Sequence, residues 1–202
     1  MFMDAGTYLV EKTPPREWMS EDLKPSFVSI DKEISVLHPD FFGSTPYLNW
    51  LVGREVYYHS TFSSSRDAKS FKKTFLKEKE NVVIVKLGIQ LEDAELILNH
   101  QLDPQDVSEQ GISGLLSEKR LIGPHHSLLG YDIMGYECAT FFSFRTNHLE
   151  GDIRNRVPFE TNEVGLIKEF VHAKKGADML NNEDFGQEEV DWFAWALFEV
   201  KD

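Results

Sequence analysis

The segment from Val190 to Val200 constrains the fold more than any other stretch of the chain. Val190, Trp192, Ala194, Ala196, Phe198 and Val200 alternate along one face, while Phe193, Trp195 and Leu197 occupy the middle of the other. A period of two with apolar residues on both faces predicts a strand inside a sheet, because an edge or half-exposed strand would show polar residues on one side. The C-terminal region is therefore expected to belong to the core.

A second strand is expected at Asn81 to Gln90, where Val83, Val85, Leu87 and Ile89 share one side and Val82 and Ile84 the other. A third is expected at Leu128 to Glu137, and shorter ones at Thr7 to Glu11, Ser26 to Ile30 and Arg54 to His59. Turns at Pro14-Pro15, Pro39-Asp40 and Pro46 divide the early segments.

Helices are expected between these strands. Ser64 followed three residues later by Asp67 fits a capping box, and Ala68, Phe71 and Phe75 recur at helical spacing, predicting a helix from about Ser65 to Lys79. Its outer face carries Arg66, Lys69, Lys72, Lys73 and Lys77. Leu166, Phe170, Ala173, Ala177 and Leu180, widened by Ile167 and Val171, predict a helix over Glu163 to Leu180 with Thr161 or Asn162 as N-cap. Asp103-Pro104 opens a weaker helix toward Arg120, interrupted by Gly111 and Gly114, and Trp18 to Leu23 makes a short one.

These elements predict an α+β fold, a mixed α/β chain of one domain over residues 1–202, with a central mixed or antiparallel sheet flanked by two to four helices. The 202 residues include 15 Phe and 4 Trp, enough large apolar side chains to bury a core without a disulfide or a structural metal. Cys138 is the single cysteine, so no internal disulfide, zinc knuckle or dithiol site can form, and a reducing, cytoplasmic setting is expected. Met1 to Val10 has no signal-peptide core, and the longest apolar run, Phe193 to Phe198, is far below the roughly 20 residues of a membrane span. No membrane partner is expected.

The net charge of −13 is unevenly placed. Through residue 80 the chain has 12 acidic and 11 basic side chains; after it, 22 acidic and 10 basic. Such a field repels nucleic acid, whose binding depends on Lys and Arg replacing counterions, and attracts a basic protein. Glu183, Asp184, Glu188, Glu189 and Asp191, with Phe185 among them, form the densest acidic run. They read either as a solvated loop or as steering charges around an aromatic anchor, with Glu150 and Asp152 as possible additions.

Chemistry-bearing patterns are sparse. The sequence contains no phosphate-binding glycine loop, no His-Glu-x-x-His and no Gly-x-Ser-x-Gly, so no catalytic residue is assigned and no cofactor or metal is expected. His148, Glu150 and Asp152 would share a side if that segment were extended and so offer metal ligands, with a polar loop as the plain alternative, whereas adjacent His125 and His126 would point apart.

Tyr58-His59-Ser60-Thr61 ends a strand before a hydroxyl-rich turn, and this stretch resembles the Tyr-His-x-Thr of the first strand of ADP-ribosyltransferases. Over four residues the resemblance implies a nucleotide held at His59 and Thr61, although no companion motif for such a pocket is present. Asp132 lies within an apolar strand and needs a partner, which Arg145, Arg154 or Arg156 can supply; beside His125 or His126 it would instead be a functional carboxylate.

Two functions are compatible with these features. One is a non-enzymatic, immunity-type or antitoxin-like inhibitor that occludes a basic protein such as a toxin domain. The other is a small transferase or hydrolase using His59 and Thr61, or Asp132 with His125.

Overall fold

The computed structural model describes residues 1–12, 28, 30, 43–54, 56–57, 61–77, 80–100, 112–137 and 140–201. Seven strands, β1 (Phe2–Glu11), β2 (Val56–Tyr57), β3 (Thr61–Phe62), β4 (Val82–Gln90), β5 (Ser127–Glu137), β6 (Thr140–Ser143) and β7 (Trp192–Glu199), form one sheet in the order β2-β3-β1-β4-β7-β5-β6. Every neighbouring pair is antiparallel, which resolves the choice between mixed and antiparallel sheets. The fold is α+β, as expected.

β7 lies between β4 and β5, with Leu197 opposite Leu87 on one side and Ala194 opposite Ile133 on the other. The two-sided apolar pattern therefore has its cause in two packed faces. On one face Trp195 and Leu197 join Leu87, Ile89 and Met134 beneath the helices α3 (Leu91–His100) and α4 (Ile112–Ser117), which contribute Ala94, Ile97, Ile112 and Leu116.

The opposite face holds two separate clusters. Trp192, Ala194, Ala196 and Phe198 pack with Ile133 against α5 (Glu150–Arg156) and α6 (Phe170–Asn182). Val200 continues the same row of β7 and joins Leu9, Val82 and Ile84 beneath α1 (Thr45–Leu51) and α2 (Ser65–Phe75). Six helices are thus present among the described residues; the three longest are within the expected two to four, and α1, α4 and α5 are pieces of two turns or fewer.

α2 starts where its cap predicts. The Ser64 hydroxyl oxygen accepts from the Asp67 backbone N–H at 3.1 Å and donates to the Asp67 carboxylate at 2.8 Å. Its end falls at Phe75 rather than Lys79, with the Leu76 N–H closing on Lys72.

The expected helix over Glu163 to Leu180 is corrected at its start. It begins at Phe170, and neither Thr161 nor Asn162 caps it. The Asn162 side chain instead accepts from the Val164 and Leu166 N–H groups and donates to the Leu129 carbonyl, and Gly165 turns at φ 76°. Ile167 then exchanges two backbone hydrogen bonds with Tyr131, at 2.9 and 2.8 Å. Leu166 and Ile167 are buried as the expected face required, but as an extended bridge onto β5. The helical spacing of Leu166, Ile167 and Phe170 coincides with that bridge.

β1 begins at Phe2 rather than Thr7 and carries a bulge between Asp4 and Thr7. The expected helix over Trp18 to Leu23 and most of the strand over Ser26 to Ile30 lie outside the described residues, although Val28 and Ile30 are buried in the core. The first part of the helix expected from Asp103 to about Arg120 also lies outside them, and α4 ends at Ser117, short of Arg120. No helix among the described residues is long and apolar enough to cross a membrane.

Candidate interaction surface

α6 ends at Asn182 with Glu183 as its C-cap, and the loop to β7 is held by its own side chains. Gln187 donates to the carbonyls of Leu180 (2.8 Å) and Glu183 (2.7 Å) and accepts from the Phe185 N–H; Asp184 accepts from the Gly186 N–H at 2.8 Å. Asn181 exchanges two hydrogen bonds with the backbone of Trp192, and the Trp192 indole donates to the Glu188 carbonyl at 3.4 Å. A loop tied at both ends and in the middle presents its outward side chains from a fixed frame.

Those outward side chains are Glu183, Asp184, Glu188, Glu189 and Asp191, all exposed. No Lys or Arg occurs from Gly176 to Val200, so neutralisation comes from elsewhere: Arg156 of α5 pairs with Glu183. Phe185 is not a protruding anchor. It is half-buried against the cluster under α6, with the Arg156 guanidinium 4.8 Å above its ring.

Asp152 is exposed on α5, but Glu150 is removed from the surface. Its carboxylate is buried, 2.7 Å from Arg154 and 3.7 Å from Arg145. Asp132, wholly buried, lies 4.0 Å from the equally buried Arg145 and accepts from the Ile133 N–H. The alternation Asp132, Arg145, Glu150, Arg154 leads from the interior of β5 out to α5. Of the three arginines expected near Asp132, Arg145 takes that place, Arg154 serves Glu150, and Arg156 serves Glu183. Because Glu150 starts a helix and His148 turns at φ 61°, the extended segment needed to align His148, Glu150 and Asp152 does not exist. Among the described residues no three His, Cys, Asp or Glu side chains are placed to hold a metal ion.

Of the residues of the enzymatic reading, Thr61, His125 and Asp132 are among those described. His59 and Cys138 lie outside the described residues. Thr61 is buried in β3 opposite Tyr8, whose hydroxyl donates to the Ala5 carbonyl at 3.1 Å and is pushed far above its ordinary pKa by burial. Thr61 is therefore withdrawn from the surface into the sheet. His125 and His126, expected to point apart, occupy a turn and lie with ring centroids 4.3 Å apart, the rings tilted by 38°. Six residues of extended chain, about 20 Å, separate His126 from Asp132, and the carboxylate that acts on His126 is Asp4. A depression of about 310 Å³ bounded by Pro158, Phe159, Glu160, Lys168, Glu169 and His172 contains none of the expected site residues.

Ion pairs centred on two lysines were missed. Lys86, buried midway along β4, pairs with Asp4 of β1; Lys174 of α6 reaches Asp93 of α3 at 3.2 Å and Asp178 at 2.8 Å. The signal for the first was a lone Lys in an otherwise apolar strand. The second had none, since Asp93 falls at a helix start where acidic residues are ordinary.

Together the fold and surface define a seven-stranded antiparallel α+β protein whose acidic side chains are displayed on a braced helix–strand connection. No protein-family model matches the chain, and neither a curated protein nor a solved structure does.

Proposed function

We propose that this chain is a non-enzymatic binding protein, an immunity-type or antitoxin-like inhibitor acting in the cytoplasm by occluding the substrate cleft of a basic protein such as a toxin domain. The observation that carries the reading is the braced α6–β7 loop, where Asp184, Glu188, Glu189 and Asp191 are exposed along a stretch without any Lys or Arg. Carboxylates fixed in space steer a cationic partner, and lose less entropy on docking than carboxylates on a fluctuating tail. Burial of Thr61 within the sheet and the pairing of Asp132 with Arg145 favour this reading over the enzymatic one.

The test is binding of the purified chain to the product of the adjacent gene at low and moderate salt. Association that weakens as salt rises, and that slows in a Glu188→Gln, Glu189→Gln double variant, supports the proposal. Absence of binding, or binding indifferent to salt, overturns it.

A further inference from the structure

We propose that the outward stripe of α2 docks a second copy of this chain by taking that copy's acidic α6–β7 loop. At 3.6 residues per turn, Arg66, Lys69 and Lys73 fall within about 60° of one another around the helix, on the side away from Ala68, Phe71 and Phe75. Lys77 follows just beyond the helix end. Arg66, Lys73 and Lys77 are exposed and Lys69 is half-buried. The one carboxylate of the helix, Asp67, is buried and taken up by Ser64 and Arg54. Among the described residues none of these four cations has an ion-pair partner. A row of positive charge about 16 Å long therefore stands unneutralised on a chain whose net charge is −13.

Charge complementarity selects the occupant. Glu188 and Glu189 are exposed on the braced loop with no cation paired to them among the described residues, and Asp184 lies exposed in the same loop. A helix and a braced loop are both pre-formed, so little backbone order is lost when they meet. Within one molecule they cannot meet. Val200 lies beneath α2 and Trp192 is tied to the loop, and the eight residues of extended chain between them span about 26 Å. Nucleic acid and anionic membranes carry the same charge, but as extended surfaces they would also lie against the acidic remainder of the molecule. A short loop touches the stripe alone, and at physiological salt a screening length of about 8 Å confines the interaction to the touching patches. Because this loop is the surface read above as inhibitory, self-association and partner binding exclude one another; that consequence rests on the reading above, and the contact between copies does not.

The test is sedimentation equilibrium of the full-length chain over a range of concentrations at about 0.15 M and about 0.5 M salt. A mean mass that rises with concentration and falls with added salt is expected. Association should be about tenfold weaker in a Lys69→Glu, Lys73→Glu variant and in a Glu188→Lys, Glu189→Lys variant, each checked for its fold by melting temperature, and should recover when the two variants are mixed. A natural chain that stays monomeric, variants that associate as it does, or a mixture that fails to recover overturns the proposal. Binding of a DNA duplex or an anionic vesicle at the stripe of a chain that does not self-associate overturns it as well. In each of these cases salt-dependent binding of the adjacent gene product leaves the occlusion reading standing; if that product also fails to bind, both readings fall.

Discussion

α2 and α6 pack on the same face of one sheet by opposite means. Beneath α2, Tyr47, Trp50, Phe62, Phe71 and Phe75 fill the space with rings at mutual centroid distances of 4.8 to 6.4 Å, mostly edge-on or tilted, and the Trp50 indole donates to Ser70 at 3.0 Å. Beneath α6 the contact is made of Ala173, Gly176 and Ala177 on Ala194, Ala196 and Ile133. The first helix stands on large side chains, the second is pressed against the sheet. The difference extends to charge: α2 carries Arg66, Lys69, Lys72 and Lys73 outward, whereas α6 leads into the acidic loop. One face thus tolerates no loss of volume at one end and no gain at the other.

The largest expected effects test the interior of each half. Arg145→Ala leaves Asp132 buried without its cation and is expected to destabilise the fold by about 3–5 kcal/mol in urea unfolding, whereas the double change Asp132→Asn, Arg145→Met should recover much of that loss. Phe71→Ala opens a cavity in the aromatic cluster and should cost about 3–5 kcal/mol.

Volume gain tests the α6 side. At Gly176 an added methyl would lie 2.5 Å from the Ile133 side chain. Gly176→Ala should therefore destabilise by about 1–3 kcal/mol, reversing the gain of roughly 0.5–1 kcal/mol that the same change brings in an unhindered helix. A neutral or stabilising result would show that α6 can move outward, and would remove the contrast between the two helices. Ser64→Ala, which only removes the cap of α2, is expected to cost about 1 kcal/mol.

The smallest effect concerns His126, in the turn before β5. Its pKa lies below the ordinary 6.5, chiefly through burial and then through His125 and Lys86, with Asp4 opposing. The folded state therefore favours neutral imidazole. That contribution to stability is present above pH 6.5 and is lost as pH falls through the lower folded value. Unfolding midpoints measured across this range should decline more steeply for the natural chain than for His126→Asn; parallel slopes would show that the fold does not hold His126 in its neutral form.

The two helices also differ in how far they could be read in advance. α2 was legible because cap, period and stripe are all local: Ser64 and Asp67 are three residues apart, and Ala68, Phe71 and Phe75 repeat at the helical period. α6 was legible over Phe170 to Leu180, but its start was misplaced because Ile167 gains more from two hydrogen bonds to Tyr131 than from an added helical turn. A spacing rule has no access to a partner 36 positions away in the chain.

The candidate site divides along the same line. The amino-acid sequence determined β7, β4, the capped α2 and the concentration of acid after residue 80, since periodicity and composition are properties of neighbouring residues. Only the tertiary structure decided that Glu150 turns inward to Arg145 and Arg154, that Phe185 lies under Arg156, and that Lys174 pairs with Asp93. Each of these depends on distances across the fold, and burial fixes which carboxylates must be paired and which can remain available to another molecule.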